Sequence, residues 1–224
     1  DDTVADFAIL QMLSVARGTL SNDKYVRENQ WKKVFLKQQM GVDFHNKKLG
    51  LIGFGRIGKK IAKRAKAFDL QINYFCRNQE KSNIENQYGA YYSDLNNLCK
   101  NSDFIVVIVP YSKETHHLIS YNQISLMKKN SIIVNVARGG VINDLALIQA
   151  LKEKKIYGAG IDVFENEPKI NEGFYELDNV VLSPHVGSGT YDTRKAMSLK
   201  ASENIISAVI HKNYTNLVNK EVLN

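Results

Sequence analysis

Leu49-Gly50-Leu51-Ile52-Gly53-Phe54-Gly55-Arg56-Ile57-Gly58 is the segment from which the architecture follows. A short apolar run ends in Gly53-x-Gly55-x-x-Gly58. A helical pattern follows, with Ile57, Ile61, Ala62, Ala65 and Phe68 at three- and four-residue steps. Strand, glycine turn and helix in that order suit the pyrophosphate of a dinucleotide. Gly53 permits the tight turn, Gly55 lets the backbone approach the phosphates, and Gly58 lets the helix pack closely on the strand. The helix start adds free N–H groups and the positive end of a dipole. Glycines in any turn can match this spacing by chance, so the flanking strand and helix carry the inference.

Working outward, the chain alternates strands and helices on the carboxyl side. Strands are expected at 49–53, 71–75, 88–92, 104–109, 132–136, 159–163 and 180–182. Helices are expected at 57–68, 93–100, 124–128, 144–154 and 190–211. The run Phe104-Ile105-Val106-Val107-Ile108-Val109 is apolar throughout, as in a strand covered on both faces. In the helix at 144–154, Leu145, Leu147, Ile148 and Leu151 are read as the buried side. Alternation of this kind predicts an α/β fold, a doubly wound parallel sheet of the Rossmann type. On the amino side, residues 4–16 are polar only at Asp6, Gln11 and Ser14. A helix apolar nearly all round is buried on more than one side, against a second lobe or another subunit; a core helix of one domain is the alternative. Residues 19–39 read as a continuing helix and then an irregular arm, anchored by Leu20, Tyr25, Val26, Trp31, Val34 and Phe35.

The composition sets bounds. With 224 residues, 44% of them hydrophobic, the chain can bury a core in one large or two small domains. No apolar run would span a bilayer, and nothing at the start reads as a signal peptide. The chain opens Asp1-Asp2-Thr3 without a methionine, which suggests a fragment or a processed form. Cys76 and Cys99 form neither a disulfide framework nor a metal cluster and are read as free thiols in a reducing cytoplasm. Net charge is +7, but the lysines are spread out, which argues against a nucleic-acid surface while suiting an anionic small molecule. His116 and His117 follow Pro110 and are read as solvated; neither they nor His45 and His211 have metal-ligand companions.

In an open parallel sheet, ligands bind beyond the carboxyl ends of the strands. Arg138 follows the strand at 132–136, Asp162 closes the one at 159–163, with Glu167 just beyond, and His185 follows the one at 180–182. Reduction of a 2-oxo acid needs such a set. An arginine grips the carboxylate bidentately, and a histidine gives the carbonyl oxygen a proton. A carboxylate orients the imidazole and favours its charged form. A nicotinamide supplies the hydride. Each residue alone also has an ordinary reading, as a solvated loop histidine or a helix-capping arginine.

Four ordered segments carry a resemblance: Gly53-Phe54-Gly55-Arg56-Ile57-Gly58, Val136-Ala137-Arg138-Gly139-Gly140, Gly160-Ile161-Asp162-Val163-Phe164-Glu165-Asn166-Glu167-Pro168 and Pro184-His185-Val186-Gly187-Ser188. Together with Val4-Ala5-Asp6 they resemble the nucleotide-binding domain of the D-isomer-specific 2-hydroxyacid dehydrogenases. The resemblance implies that Arg138, Glu167 and His185 are the catalytic set. It implies that Arg56 and Ile57 lie on the pyrophosphate, and that Val109, Pro110 and Thr115 line the adenosine and phosphate side. It also implies that Asp162 holds the nicotinamide amide, with Val136, Ala137, Gly187 and Ser188 around that ring. Residues 1–188 would then be the dinucleotide-binding domain, and 189–224 a crossover helix and tail returning to a substrate lobe of ~100 residues that this chain does not contain. The family pairs into homodimers through this domain, which would account for the apolar helix at 4–16.

The residues after the second strand bear on the cofactor. An acid about twenty residues beyond the glycines would bind the ribose hydroxyls of NAD. This chain has Tyr74-Phe75-Cys76-Arg77-Asn78 there, with no carboxylate between Asp69 and Glu80. Arg77, beside Cys76, is placed to pair with a 2′-phosphate, so NADP is expected over NAD. Within the family this resembles the glyoxylate/hydroxypyruvate and 2-ketogluconate reductase branch. Two other readings stay open: a nucleotide-sensing binding protein like the C-terminal-binding co-repressors, and an inactive cofactor-binding fragment.

Overall fold

Apolar runs that alternate in facing explain why helices cover both sides of the central sheet. The computed structural model describes residues 1–32 and 40–223. Seven strands form one sheet: β1 (Lys48–Ile52), β2 (Gln71–Phe75), β3 (Ala90–Tyr92), β4 (Phe104–Val107), β5 (Ile132–Asn135), β6 (Gly158–Ile161) and β7 (Val180–Leu182). Their order is β3-β2-β1-β4-β5-β6-β7, every pair parallel, so the winding reverses between β1 and β4. Successive side chains of a strand face opposite ways. Phe104 and Val106 of β4 therefore join a core with Leu49, Leu51 and Ile72, while Ile105 and Val107 join a second core on the other face. Each such side chain contributes roughly 1.5–3 kcal/mol by leaving water.

Helices α1 (Asp2–Ala16) and α3 (Arg56–Ala65) supply the first core. Helices α5 (Leu95–Asn101), α6 (Tyr121–Leu126) and α7 (Asp144–Lys152) supply the second. Helix α1 lies over β5, β6 and β7 of its own domain and beside α3. Its buried residues are Ala5, Ala8, Ile9, Gln11, Met12, Val15 and Ala16, whereas Leu10 is 55% exposed. The core-helix alternative therefore accounts for the buried face, and the helix is not covered all round within this chain.

Other expectations need correction. Gly18, at φ 55, stops α1, so α2 (Thr19–Arg27) is a separate helix and not a continuation. Leu20, Val26 and Trp31 are exposed instead of acting as anchors, and Val34 and Phe35 fall outside the described residues. Tyr88 ends a helix, α4 (Ser82–Tyr88), that the apolar pattern does not show; only Ala90–Tyr92 is strand. Its buried anchor is polar: Glu85 accepts from the Tyr74 hydroxyl at 2.8 Å and from Gln79 at 3.1 Å. Leu145 is 62% exposed, because α7 turns that position away from the sheet.

Residues 1–187 form one compact unit and residues 188–224 another. The second carries α8 (Tyr191–Val209), capped at its start by the Thr190 side chain accepting from Thr193 N–H. No residue of α8 is buried; Met197, Leu199, Ile205, Ile206 and Val209 are exposed. Among the described residues no helix is long and apolar enough to cross a membrane.

Candidate active site

The glycine turn sits at the point where the strand order reverses. Gly53 has φ 109, and a Cβ there would lie 2.7 Å from the Ile108 carbonyl oxygen, so only glycine fits. A Cβ on Gly58 would lie 2.6 Å from the Gly53 carbonyl oxygen, which fixes how closely α3 approaches β1. Gly55 differs: among the described residues a Cβ there would meet nothing within 4 Å. No atom of the described residues requires glycine at that position, whereas a group seated against the turn would. Gly55 is also the N-cap of α3 and makes no side-chain cap, which leaves the helix start open to an anion. A dinucleotide fits this cradle.

From β2 to β7 the carboxyl edge spans five strand intervals, roughly 24 Å at ~4.8 Å each. Arg77 follows β2 and is exposed. Its charge reaches Glu114, whose carboxyl is held low first by the Ser112 hydroxyl and then in part by Arg77. Cys76 is half-buried with its sulfur 2.8 Å from the Asn78 carbonyl oxygen, and burial pushes its thiol up. Val109 and Pro110 follow β4, and the Thr115 hydroxyl donates to the Pro110 carbonyl at 2.8 Å, closing that loop. Arg56 is 87% exposed with Asp1 3.4 Å away, and Ile57 is half-buried against the first core.

At the other end, Val136 and Ala137 are buried and Arg138 is exposed. The Arg138 guanidinium donates to the Ala137 carbonyl at 2.6 Å. Arg138, Asp162 and His185 follow neighbouring strands β5, β6 and β7. His185 Nδ1 lies 2.8 Å from Glu167 Oε2, and Glu167 Oε1 accepts from Phe164 N–H at 2.8 Å. With Nδ1 at the carboxylate, Nε2 is the ring nitrogen that contact leaves uncommitted. Asp162 is 2% exposed. Its carboxylate accepts from Val186 N–H at 2.9 Å, Gly187 N–H at 2.8 Å and the Ser183 hydroxyl at 2.6 Å. It thus clamps the loop that carries His185. Ser188 begins the second unit.

Sequence reasoning missed a second polar group. His117, expected to be solvated, is half-buried, with Nε2 3.0 Å from Glu165 Oε1 and Nδ1 3.2 Å from Asn143 Nδ2; His116 is exposed and stacks on it. Glu165 and Asp144 exchange bonds: Asp144 N–H donates to Glu165 at 3.0 Å and Glu165 N–H to Asp144 at 3.1 Å. Asp144 is 6% exposed, and burial, reinforced by the charges of Glu165 and Glu167, pushes its carboxyl up to about 6. A cavity of about 460 Å³ opens beside this group, lined by His117, Asp144, Leu145, Glu165 and Lys169.

A parallel sheet wound both ways about a glycine cradle, with an imidazole–carboxylate pair beyond its last strand, defines a dinucleotide-binding domain. Residues 9–187 match the D-isomer specific 2-hydroxyacid dehydrogenase NAD binding domain, and the chain belongs to that family. It is 44% identical to a glyoxylate reductase of Pyrococcus furiosus over 226 residues, covering 99% of this chain and 67% of the relative. It superposes on a glyoxylate reductase of Paecilomyes thermophila with TM-score 0.88 at 33% identity, covering 98% of this chain and 66% of that one. An NADPH-dependent glyoxylate/hydroxypyruvate reductase of Sinorhizobium meliloti, solved with NADP and malonate, gives TM-score 0.86 at 32% identity, covering 93% of this chain and 64% of that one. The chain therefore spans about two thirds of the length of these relatives.

Proposed function

We propose that this domain serves the reduction of a small 2-oxo acid of the glyoxylate or hydroxypyruvate kind to the D-2-hydroxy acid. The observation that carries the reading is the 2.8 Å contact between His185 Nδ1 and Glu167. It holds the imidazole so that Nε2 can deliver a proton to the carbonyl oxygen. Arg138, beyond the strand two places away, would hold the substrate carboxylate once its guanidinium leaves the Ala137 carbonyl. Bound at the Gly53–Gly58 cradle, the nicotinamide cofactor supplies the hydride. Arg77 would pair with a 2′-phosphate, so NADPH is the favoured form. In the same proposal residues 1–188 hold the nucleotide, and the segment from 189 packs with the further lobe that the longer relatives possess. Two copies would pair through this domain.

The test is turnover of glyoxylate and hydroxypyruvate with NADPH and NADH, measured on the 224-residue chain and on a chain extended to the length of its relatives. Turnover in the extended chain that is lost in His185→Gln supports the reading. Nucleotide binding without turnover in either chain rejects it in favour of a nucleotide-sensing role.

A further inference from the structure

We propose that Gln11, on α1, is a positioning residue for His185 and acts through Ser183 and Asp162. The inference rests on the reading of His185 as proton donor. Gln11 is 2% exposed and is the one polar residue among those α1 buries. Its Nε2 donates to Ser183 Oγ at 2.9 Å, and Ser183 Oγ donates to Asp162 Oδ1 at 2.6 Å. A hydroxyl has one hydrogen to give. With Gln11 donating to Ser183, that hydrogen is directed at the carboxylate and away from the Ile161 carbonyl, 3.5 Å off. Asp162 in turn holds the two N–H groups that follow His185. The His185 N–H donates to the Asp162 carbonyl at 2.8 Å, and the residue is held at φ 54, a left-handed conformation that few non-glycine residues adopt, histidine among them. The imidazole reaches Glu167 from this constrained backbone.

Stability does not account for the glutamine. Among the described residues its buried Oε1 has no hydrogen-bond partner, which costs free energy that an aliphatic side chain would avoid. It packs closely on the sheet: a Cβ on Gly160 would stand 3.0 Å from both Cβ and Oε1 of Gln11. A core residue that breaks a local rule without a compensating gain points to a role in the site. The part of Gln11 that does have a partner is the amide that steers Ser183.

The test is amide hydrogen exchange at Val186 and Gly187, followed by ¹⁵N NMR alongside thermal unfolding, with turnover measured on the same proteins in the extended chain. In Gln11→Leu, exchange at both amides rises about fivefold, equivalent to about one hydrogen bond. The unfolding midpoint does not fall, and kcat drops while KM for NADPH stays put. Ser183→Ala loses the same protection and Ser183→Thr, which keeps the hydroxyl, restores it. Met12→Leu, an apolar exchange on the same buried face, leaves both amides as in the wild type. Unchanged protection in Gln11→Leu, or an equal loss in Met12→Leu, overturns the proposal. If protection falls as described while no variant and no wild type turns over, the clamp stands and the reading of His185 as proton donor fails instead.

Discussion

Asparagine in place of Asp144 separates the cost of a buried charge from the bond that side chain makes. Burial first, then the fields of Glu165 and Glu167, raise the Asp144 carboxyl to about 6 from 3.8, opposed by the Glu165 N–H that donates to it and by His117 nearby. In the window between those values the folded chain holds a proton that the unfolded chain has released. The stability this lends is fully present below pH 3.8 and is lost as pH rises through about 6. About two units at 1.36 kcal/mol each come to roughly 3 kcal/mol. The substituted amide would keep an oxygen for the Glu165 N–H and carry no charge, so it has nothing to lose across the window. Urea unfolding at about pH 4 and about pH 8, extrapolated linearly, measures both proteins. Relative to the variant, the wild type should lose about 2.5 kcal/mol between the two, and Asp144→Asn should be the more stable protein at the higher pH. Curves that run parallel at every pH would refute the assignment of a strained, charged Asp144 beside Glu165.

Other perturbations act at the site itself. Glu167→Gln keeps a hydrogen-bonding oxygen but removes the charge facing Nδ1; kcat in the extended chain should fall by roughly 10²-fold, within the usual range for proton transfer, with KM for the nucleotide unchanged. Arg77→Asp should lower kcat/KM for NADPH relative to NADH by about 30-fold, the loss of one charged hydrogen bond of about 2 kcal/mol; unchanged preference would reject Arg77 as the reader. The glycines of the turn should separate cleanly in thermal melts and nucleotide titrations. Gly53→Ala, forced to φ 109 against the Ile108 carbonyl, should cost upwards of ~2 kcal/mol of stability. Gly55→Ala, with open space for its methyl, should melt like the wild type yet bind NADPH more weakly.

Local features of the chain were enough to read the sheet. An unbroken run such as Phe104–Val107 says that both faces are covered, and a glycine turn between strand and helix says where a nucleotide is expected. Once the strands were parallel, Arg138, Asp162 and His185 had to gather at one edge, because each closes or follows a strand. The features that escaped lack such periodicity. Helix α4 puts a charged residue, Glu85, at its buried position, and only Ile84 and Tyr88, four residues apart, mark its apolar side. Gly18 parts α2 from α1 through a positive φ that a pattern of apolar residues does not register.

The harder cases are polar pairs made across the fold. His117 meets Glu165 over 48 positions and Gln11 meets Ser183 over 172. Neither partner signals the other, since a hydrogen bond of this kind needs both chain segments in place before either side chain has a reason to be polar. The sequence does hold one trace of it. Gln11 interrupts the apolar residues of α1 on the face that packs over the sheet, where leucine would serve the core as well. A buried amide on that face must find a partner or weaken the fold. Among the described residues half of it found Ser183 and half found nothing, as expected if the bond to Ser183 serves something other than packing. The Asp162 clamp beneath His185 is the structure that bond reaches.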